Sequence, residues 1–416
     1  MRTTSMGAAC VTRHTFPSMR RPACRNKAGG RRSFAANRKG RRGYSLLLLL
    51  ALLTACVRVP LPTLPGPEAS DLLPRLQGVL VLDARRALEI VELPSMKTRV
   101  LALDTYFWGG DRFTAPDEHG RIAVITAAVT GASDEVLLGR RKHRLPVARY
   151  VVGTIRLDGT ERHNLQVFES AELHAVGPDV ALSRSGDTIA YARNSKVERI
   201  KMRRGFLGLF VGELHLVSTV NGAETVLEAR PVGSIETGDR ALVWHPDGRR
   251  LAYVALAPHG EGMGAATASG DFGREFVDEA WEKVPVVHLL DVASGQDRAL
   301  HLGFDPLISE DGATLALRDL GQRWLQIDLA SGIARPLQLP GNWAGPLALL
   351  RDGLVIYWGL PMEGAPARFT EHYSPLMGPT PLGTLKIADL STGRFQTIFA
   401  AVEGRWRQRF RFSPAP

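Results

Sequence analysis

From Gly78 onward, short apolar runs are separated by clusters of Gly, Asp, Asn and Pro, the pattern of an all-β chain built from hairpins. The stretch Leu242-Val243-Trp244-His245-Pro246-Asp247-Gly248-Arg249-Arg250-Leu251-Ala252-Tyr253-Val254 reads as a strand, a tight turn and a second strand. Pro246 restricts φ, Asp247 can bond its own backbone two residues on, and Gly248 accepts the positive φ that other residues resist. The same order of apolar run, turn and apolar run returns at 115–124, 182–191, 308–317 and 349–357. A second signature, Asp-x-x-Ser/Thr-Gly, follows at 291–295, 328–332 and 389–393. Two turn signatures in a fixed order define a repeat of four strands, A to D, with the first turn joining A to B and the second joining C to D.

The leanest unit places A near 307–309, B at 314–318, C at 324–329 and D at 334–339, a repeat of about 40 residues. Four other units match it with insertions. The first unit supplies only B, C and D, at 78–83, 87–93 and 99–103. Its missing strand is expected at the far end, where residues 405–414 alternate polar with apolar and finish in Ser413-Pro414. Pairing of that segment with 78–83 would close the ring and protect its edges. The pattern thus predicts an all-β, six-bladed β-propeller of four-stranded antiparallel blades over 76–416, closed by the C-terminal strand. The insertions at 127–149, 194–212, 257–285 and 359–383 all fall between B and C. In such a ring they share one face, where repeat proteins commonly carry their binding surface.

The motif Trp244-His245-Pro246-Asp247-Gly248-Arg249-Arg250-Leu251-Ala252-Tyr253 resembles the WD40-like (PD40) repeat of TolB-type propellers. That resemblance implies the fold and not an activity, since one fold hosts many functions. The chain departs from the TolB pattern in its degenerate first two units, and no obvious α/β domain precedes them.

Charge changes the picture only at the N-terminus. Of 52 Lys and Arg, 12 lie in residues 1–43, which hold no acidic residue; the remainder carries 40 basic against 42 acidic residues. The formal charge of +10 therefore describes a leader and not a nucleic-acid-binding domain. Residues 46–53 are apolar throughout, too short to cross a bilayer core, and follow the basic run as a signal-peptide core should. Next comes Leu53-Thr54-Ala55-Cys56, which resembles the lipobox of bacterial lipoproteins. The resemblance implies a signal peptide over 1–55, with Met19 as an alternative start, export by the general secretory route, cleavage after Ala55 and a covalent lipid on Cys56. Residues 56–75 then form a proline-rich spacer. Val57 in place of Asp points to the outer membrane, facing the periplasm, in a Gram-negative cell. Cys10 and Cys24 would leave with the leader, so the mature chain is expected to have no disulfide.

Candidate chemistry is sparse. There is no Gly-x-Ser-x-Gly elbow, His-Glu-x-x-His, cysteine pair or EF-hand loop. Gly260-Glu261-Gly262-Met263-Gly264 has the wrong spacing for a nucleotide loop and reads as a flexible insertion, with a helix-like second half. His119 and His245 fall in turns, and His215 and His288 in C strands, as structural histidines do. Asp291, Asp328 and Asp389 share one turn position and are assigned to their turns, and the Trp residues at 244, 324, 343, 358 and 406 to packing between blades. No catalytic residue, metal site or cofactor beyond the lipid is expected. Two insertions stand out: Arg140, Arg141, Lys142 and Arg144 form one basic tip, and Lys201, Arg203 and Arg204, followed by Phe206, form another. They are the candidate partner-binding residues, suited to anionic headgroups or an acidic partner. The resulting expectation is a membrane-anchored, extracytoplasmic, non-catalytic propeller that binds a protein or cell-envelope component through its B–C face. The alternative is a hydrolase or lyase acting on a glycan or peptide in the central channel.

Overall fold

The computed structural model describes residues 63–64, 69–83, 87–103, 112–138, 141–171, 179–202, 205–234, 240–270, 277, 281–321, 323–341, 343–359, 383–402 and 410–414. The leader, Cys56, Arg140, Arg203, Arg204, Trp406 and the insertion over 360–382 lie outside these residues. All described residues belong to one compact unit, Pro60–Pro416.

Six four-stranded antiparallel sheets form the ring. From the innermost strand outward, blade two is Arg112–Phe113, Arg121–Leu138, Arg141–Arg156 and His163–Ala171. Blade three is Val180–Leu182, Thr188–Met202, Gly205–Ser218 and Glu224–Leu227. Blade four is Leu242–Trp244, Arg250–Pro258, Lys283–Asp291 and Asp297–Leu302. Blade five is Phe304–Ile308, Thr314–Arg318, Trp324–Asp328 and Ala334–Pro336. Blade six is Trp343–Leu349, Leu354–Gly359, Gly383–Asp389 and Phe395–Val402.

Blade one closes the circle. Its B, C and D strands are Gly78–Asp83, Ala87–Leu93 and Lys97–Ala102, and its A strand is the C-terminal Phe410–Pro414. Val79 pairs with Ser413 and Leu80 with Phe412. The expected closure is thus present.

The core is not central. Buried side chains fall into six clusters, each joining neighbouring blades: Val81 and Ile90 of blade one with Ile122 and Val124 of blade two, for example, and Leu80 and Leu82 of blade one with Ile356 and Leu385 of blade six. A flat four-stranded sheet cannot bury both faces alone, and stacking in a circle lets every blade do so. The described tryptophans serve these seams. Trp244 donates its Nε1–H to the Ala181 carbonyl of the preceding blade at 3.2 Å, and Trp324 lies so close to Gly345 of the next blade that a Cβ there would sit 2.8 Å from Nε1.

Two elements were not expected. The glycine-rich stretch is a helix, α1 (His259–Ser269), instead of a flexible loop. Gly262 allows it: a side chain there would meet Val284 Cγ2 at 2.1 Å, so the helix packs directly on the C and D strands of its own blade and buries Ala266. Part of the proline-rich spacer is also built into the ring. Thr63 and Leu64 run parallel to Leu339 and Pro340 in the connection between blades five and six. Farther on, the Ala69 N–H donates to the Phe395 carbonyl at 2.6 Å, and the Leu72 and Leu73 N–H groups donate to Gln396 Oε1 at 2.9 and 2.7 Å. Arg75 pairs with Asp389 at 3.0 Å, and Asp71 with Arg394.

Candidate functional site

Antiparallel order inside a ring fixes which connections share an end. A–B and C–D turns emerge on one face, here the turn face; B–C and D–A connections emerge on the other, the hairpin face. The axis between them is walled by the A strands.

That axial channel encloses about 240 Å³. Leu182, Leu242, Leu307 and Leu349 are among the residues lining its length. Some of its charged groups are engaged at the two ends, whereas Glu118 and Arg184, which also line it, are exposed at the turn end, Glu118 lying 3.6 Å from His119. At the hairpin end, Arg240 lies 3.7 Å from Asp305 and donates to the Leu347 carbonyl at 3.5 Å. At the turn end, Glu310 pairs with Arg351 at 2.8 Å. His245 accepts the Asp247 N–H at Nδ1 (3.1 Å), which leaves Nε2–H to donate to the Gly312 carbonyl of the next blade at 3.0 Å. Among the described residues, no group of three His, Cys, Asp or Glu side chains is placed to hold a metal.

The turn face is a chain of local and cross-blade bonds. Asp117 accepts the backbone N–H groups of His119 and Arg121 and pairs with the Arg121 guanidinium at 2.9 Å; Arg121 in turn donates to the Gly186 carbonyl of blade three at 3.2 Å. Gly186 and Gly312 have φ of 71° and 74°, and each is overlain by the preceding blade: a Cβ would meet Asp117 Oδ2 at 1.8 Å or His245 Cε1 at 2.5 Å. Burial pushes the Asp247 carboxyl up, but hydrogen bonds from Arg249 and Arg250 outweigh it and bring it to about 2. Hydrogen bonds from Ser294, Ser331 and Ser391 likewise hold Asp291, Asp328 and Asp389 below the ordinary carboxylate range. These aspartates serve their turns, as expected.

The C-strand histidines are structural in a way the sequence did not reveal. His215 lies against Tyr191 on the neighbouring strand, and both bond Glu224 Oε1 on strand D, His215 Nδ1 at 3.0 Å and the Tyr191 hydroxyl at 2.5 Å. Blade four repeats the arrangement: His288 Nδ1 and the Tyr253 hydroxyl meet Asp297 Oδ2 at 3.1 and 2.8 Å. Burial first, and the partner acid second, raise both tyrosines above their ordinary range. Tyr191 also stacks on Phe168 and Phe168 on Tyr150, at 5.6 and 5.1 Å, carrying the column across blades two and three. The shared signal, Tyr three positions after the strand-B start and opposite a C-strand His, could have been read only with the register known.

The hairpin face holds the elaborations. Blade two's B and C strands run on as a paired hairpin to Leu138 opposite Arg141, and blade three's to Met202 opposite Gly205. Arg141, Lys142 and Arg144 lie on the returning arm of the first, with Glu135 opposite Arg144; Lys201 pairs with Phe206 in the second. The fold brings these candidate residues to the ends of two hairpins of adjacent blades. Among the described residues no helix is long and apolar enough to cross a membrane.

No protein-family model and no curated protein sequence matches the chain. Among solved structures, similar ones include the tricorn protease (13% identity, 76% of this chain, 34% of that chain, TM-score 0.37). The β-propeller domain of the Trilobed protease from Pyrococcus furiosus gives 12% identity over 70% of this chain and 72% of that chain, TM-score 0.37. An oligogalacturonate lyase in complex with manganese gives 11% identity over 68% and 70%, TM-score 0.40. The chain spans only about a third of the tricorn protease, and at these identities none of the activities named for these proteins passes to it.

Proposed function

We propose that this chain is a lipid-anchored, extracytoplasmic propeller that binds a component of the cell envelope through its hairpin face and performs no catalysis itself. The lipoprotein identity rests on Leu53-Thr54-Ala55-Cys56 and the apolar run before it, and the TolB-type kinship on the repeated turn motif. The observation that carries the binding role is the uneven distribution of chain: two neighbouring blades extend paired hairpins with basic ends on one face, while Arg240, His245 and Glu310 at the channel ends are committed to structural partners. Replacing Arg140, Arg141, Lys142, Arg144, Arg203 and Arg204 with Ser is expected to weaken capture of the envelope component by photo-crosslinkers placed at Lys201. Undiminished capture would remove the hairpins from the binding site. Turnover of an oligosaccharide or peptide by the purified protein, lost on channel substitution, would establish the enzyme instead.

A further inference from the structure

Thr63 and Leu64, the first described residues, and the basic hairpins lie on the same face. Leu339 and Pro340 belong to a D–A connection, and D–A and B–C connections share an end of the ring, so Thr63 and Leu64, paired to them, enter at the hairpin face. The chain then descends to the turn face, where Asp71 and Arg75 bind the C–D turn of blade six, before blade one begins at Gly78.

Length adds a constraint. Seven peptide units separate Cys56 from Thr63, which reach about 25 Å at full extension. The hairpins are longer. From Ile125, the last residue of its strand paired to strand A, to Leu138 is about 40 Å at ~3.3 Å per residue, and from Tyr191 to Met202 about 35 Å. Blade two's hairpin runs clear of its D strand beyond Gly131 and Val147, about 23 Å to Leu138 at ~3.3 Å per residue, comparable with the reach of the tether, whereas the base of blade three's is buried against blade four.

Charge points the same way. The chain after residue 43 is nearly balanced, with 40 basic and 42 acidic residues, yet 140–144 holds four Lys and Arg and 199–204 holds four more. Clusters of this kind within a Debye length of an anionic leaflet are drawn to it.

Resting on the lipoprotein reading, the geometry points to an occupant for this face: the anionic phospholipid surface of the bilayer that carries the acyl chains on Cys56. The propeller stands on its hairpins, with the turn face directed away from the membrane. The acyl chains hold the protein near the bilayer, and the two basic hairpins fix its orientation.

The test uses the full lipidated protein, purified in detergent and reconstituted into vesicles containing phosphatidylglycerol, or into neutral phosphatidylcholine vesicles. With Cys10 and Cys24 removed with the leader and Cys56 acylated, a single introduced cysteine is the one free thiol. A fluorophore at Gly205→Cys reports the hairpin end, and one at Asn221→Cys, on the C–D turn of blade three, reports the opposite face. Headgroup spin labels are expected to quench the Gly205 probe several-fold more than the Asn221 probe. The difference should shrink in high salt, in neutral vesicles, and in the combined R141S, K142S, R144S and K201S variant, whose thermal midpoint is the control for folding. Equal quenching of an acylated protein, or stronger quenching at Asn221, overturns the orientation, leaves the anchor intact and returns the hairpins to a protein partner. An intact mass showing Cys56 unmodified overturns the anchor and the orientation together.

Discussion

The turn face joins strands through short Asp-Gly and Asp-x-x-Ser/Thr-Gly turns, and its side chains reach from one blade to the next: Arg121 to Gly186, His245 to Gly312. On the hairpin face, blades two and three run on to Leu138 and Met202, while blade five turns back tightly, with the Asp319 carboxylate accepting the Arg323 N–H. In the two turn-face clasps, blade two to three and blade four to five, different side chains reach the same target, the turn-glycine carbonyl of the next blade. The hairpin face has cross-blade bonds of its own, Asp179 Oδ2 accepting the Ala241 and Leu242 N–H groups of the next blade at 2.6 and 3.0 Å, and varies in the hairpin ends beyond them. The short repeated turns gather at one end of the ring and the variation in loop length at the other.

Several perturbations should break or sharpen that contrast. The largest effect is expected from ending the chain before Phe410, which leaves the Gly78–Asp83 strand as a bare edge and opens the ring; loss of the cooperative melt by circular dichroism is the expected result. Next, Gly312→Ala forces a Cβ at φ 74° against the His245 ring. A destabilisation of about 2–4 kcal/mol in urea unfolding follows from adding backbone strain to overpacking. His245→Ala removes one buried cross-blade hydrogen bond and should cost about 1–3 kcal/mol by the same measurement.

A smaller effect comes from acid. The carboxyls of Asp187, Asp247, Asp291, Asp311, Asp328 and Asp389 are all lowered in the folded chain. A group held below its unfolded value stabilises the fold above that value, and the contribution disappears as pH falls through the folded one. With Asp247 near 2, the thermal midpoint should drop between about pH 4 and pH 2. Asp247→Asn keeps the turn's hydrogen-bond acceptor and should flatten part of that slope. The smallest effect belongs to the other face: replacing 132–146 by a two-residue Asn-Gly turn should shift stability by less than about 0.5 kcal/mol. A large loss there would end the division of labour between the faces.

The same contrast explains what could be read from the chain alone. Turn chemistry acts within a few residues, so Asp247 and Gly248 announced their hairpin, and the A-to-D order followed from repetition. Closure by 410–414 was legible because polar–apolar alternation ends in the same Ser-Pro that precedes a turn. What stayed hidden depends on partners distant in sequence. Gly262 looks like a loop residue until Val284 and Val286 are seen beneath it. Nothing near Leu72 indicates that Gln396 receives its N–H. Of the candidate site, the two basic insertions were recognisable from composition, but their pairing register, and their common face with Thr63, required the ring.

Blade one also sets a clock. Its B, C and D strands leave the ribosome before the other five blades and its A strand after them, so the sheet that begins the ring is the last to be completed. At synthesis rates of ~5–20 residues per second, the interval from Gly78 to Phe410 is roughly 15–65 s. Through that interval Val79 to Leu82 present an unpaired inner edge. A newly made chain must therefore be shielded, or kept from folding, for longer than its individual hairpins need to form. The join that gives the finished ring its protected edges makes the unfinished one vulnerable.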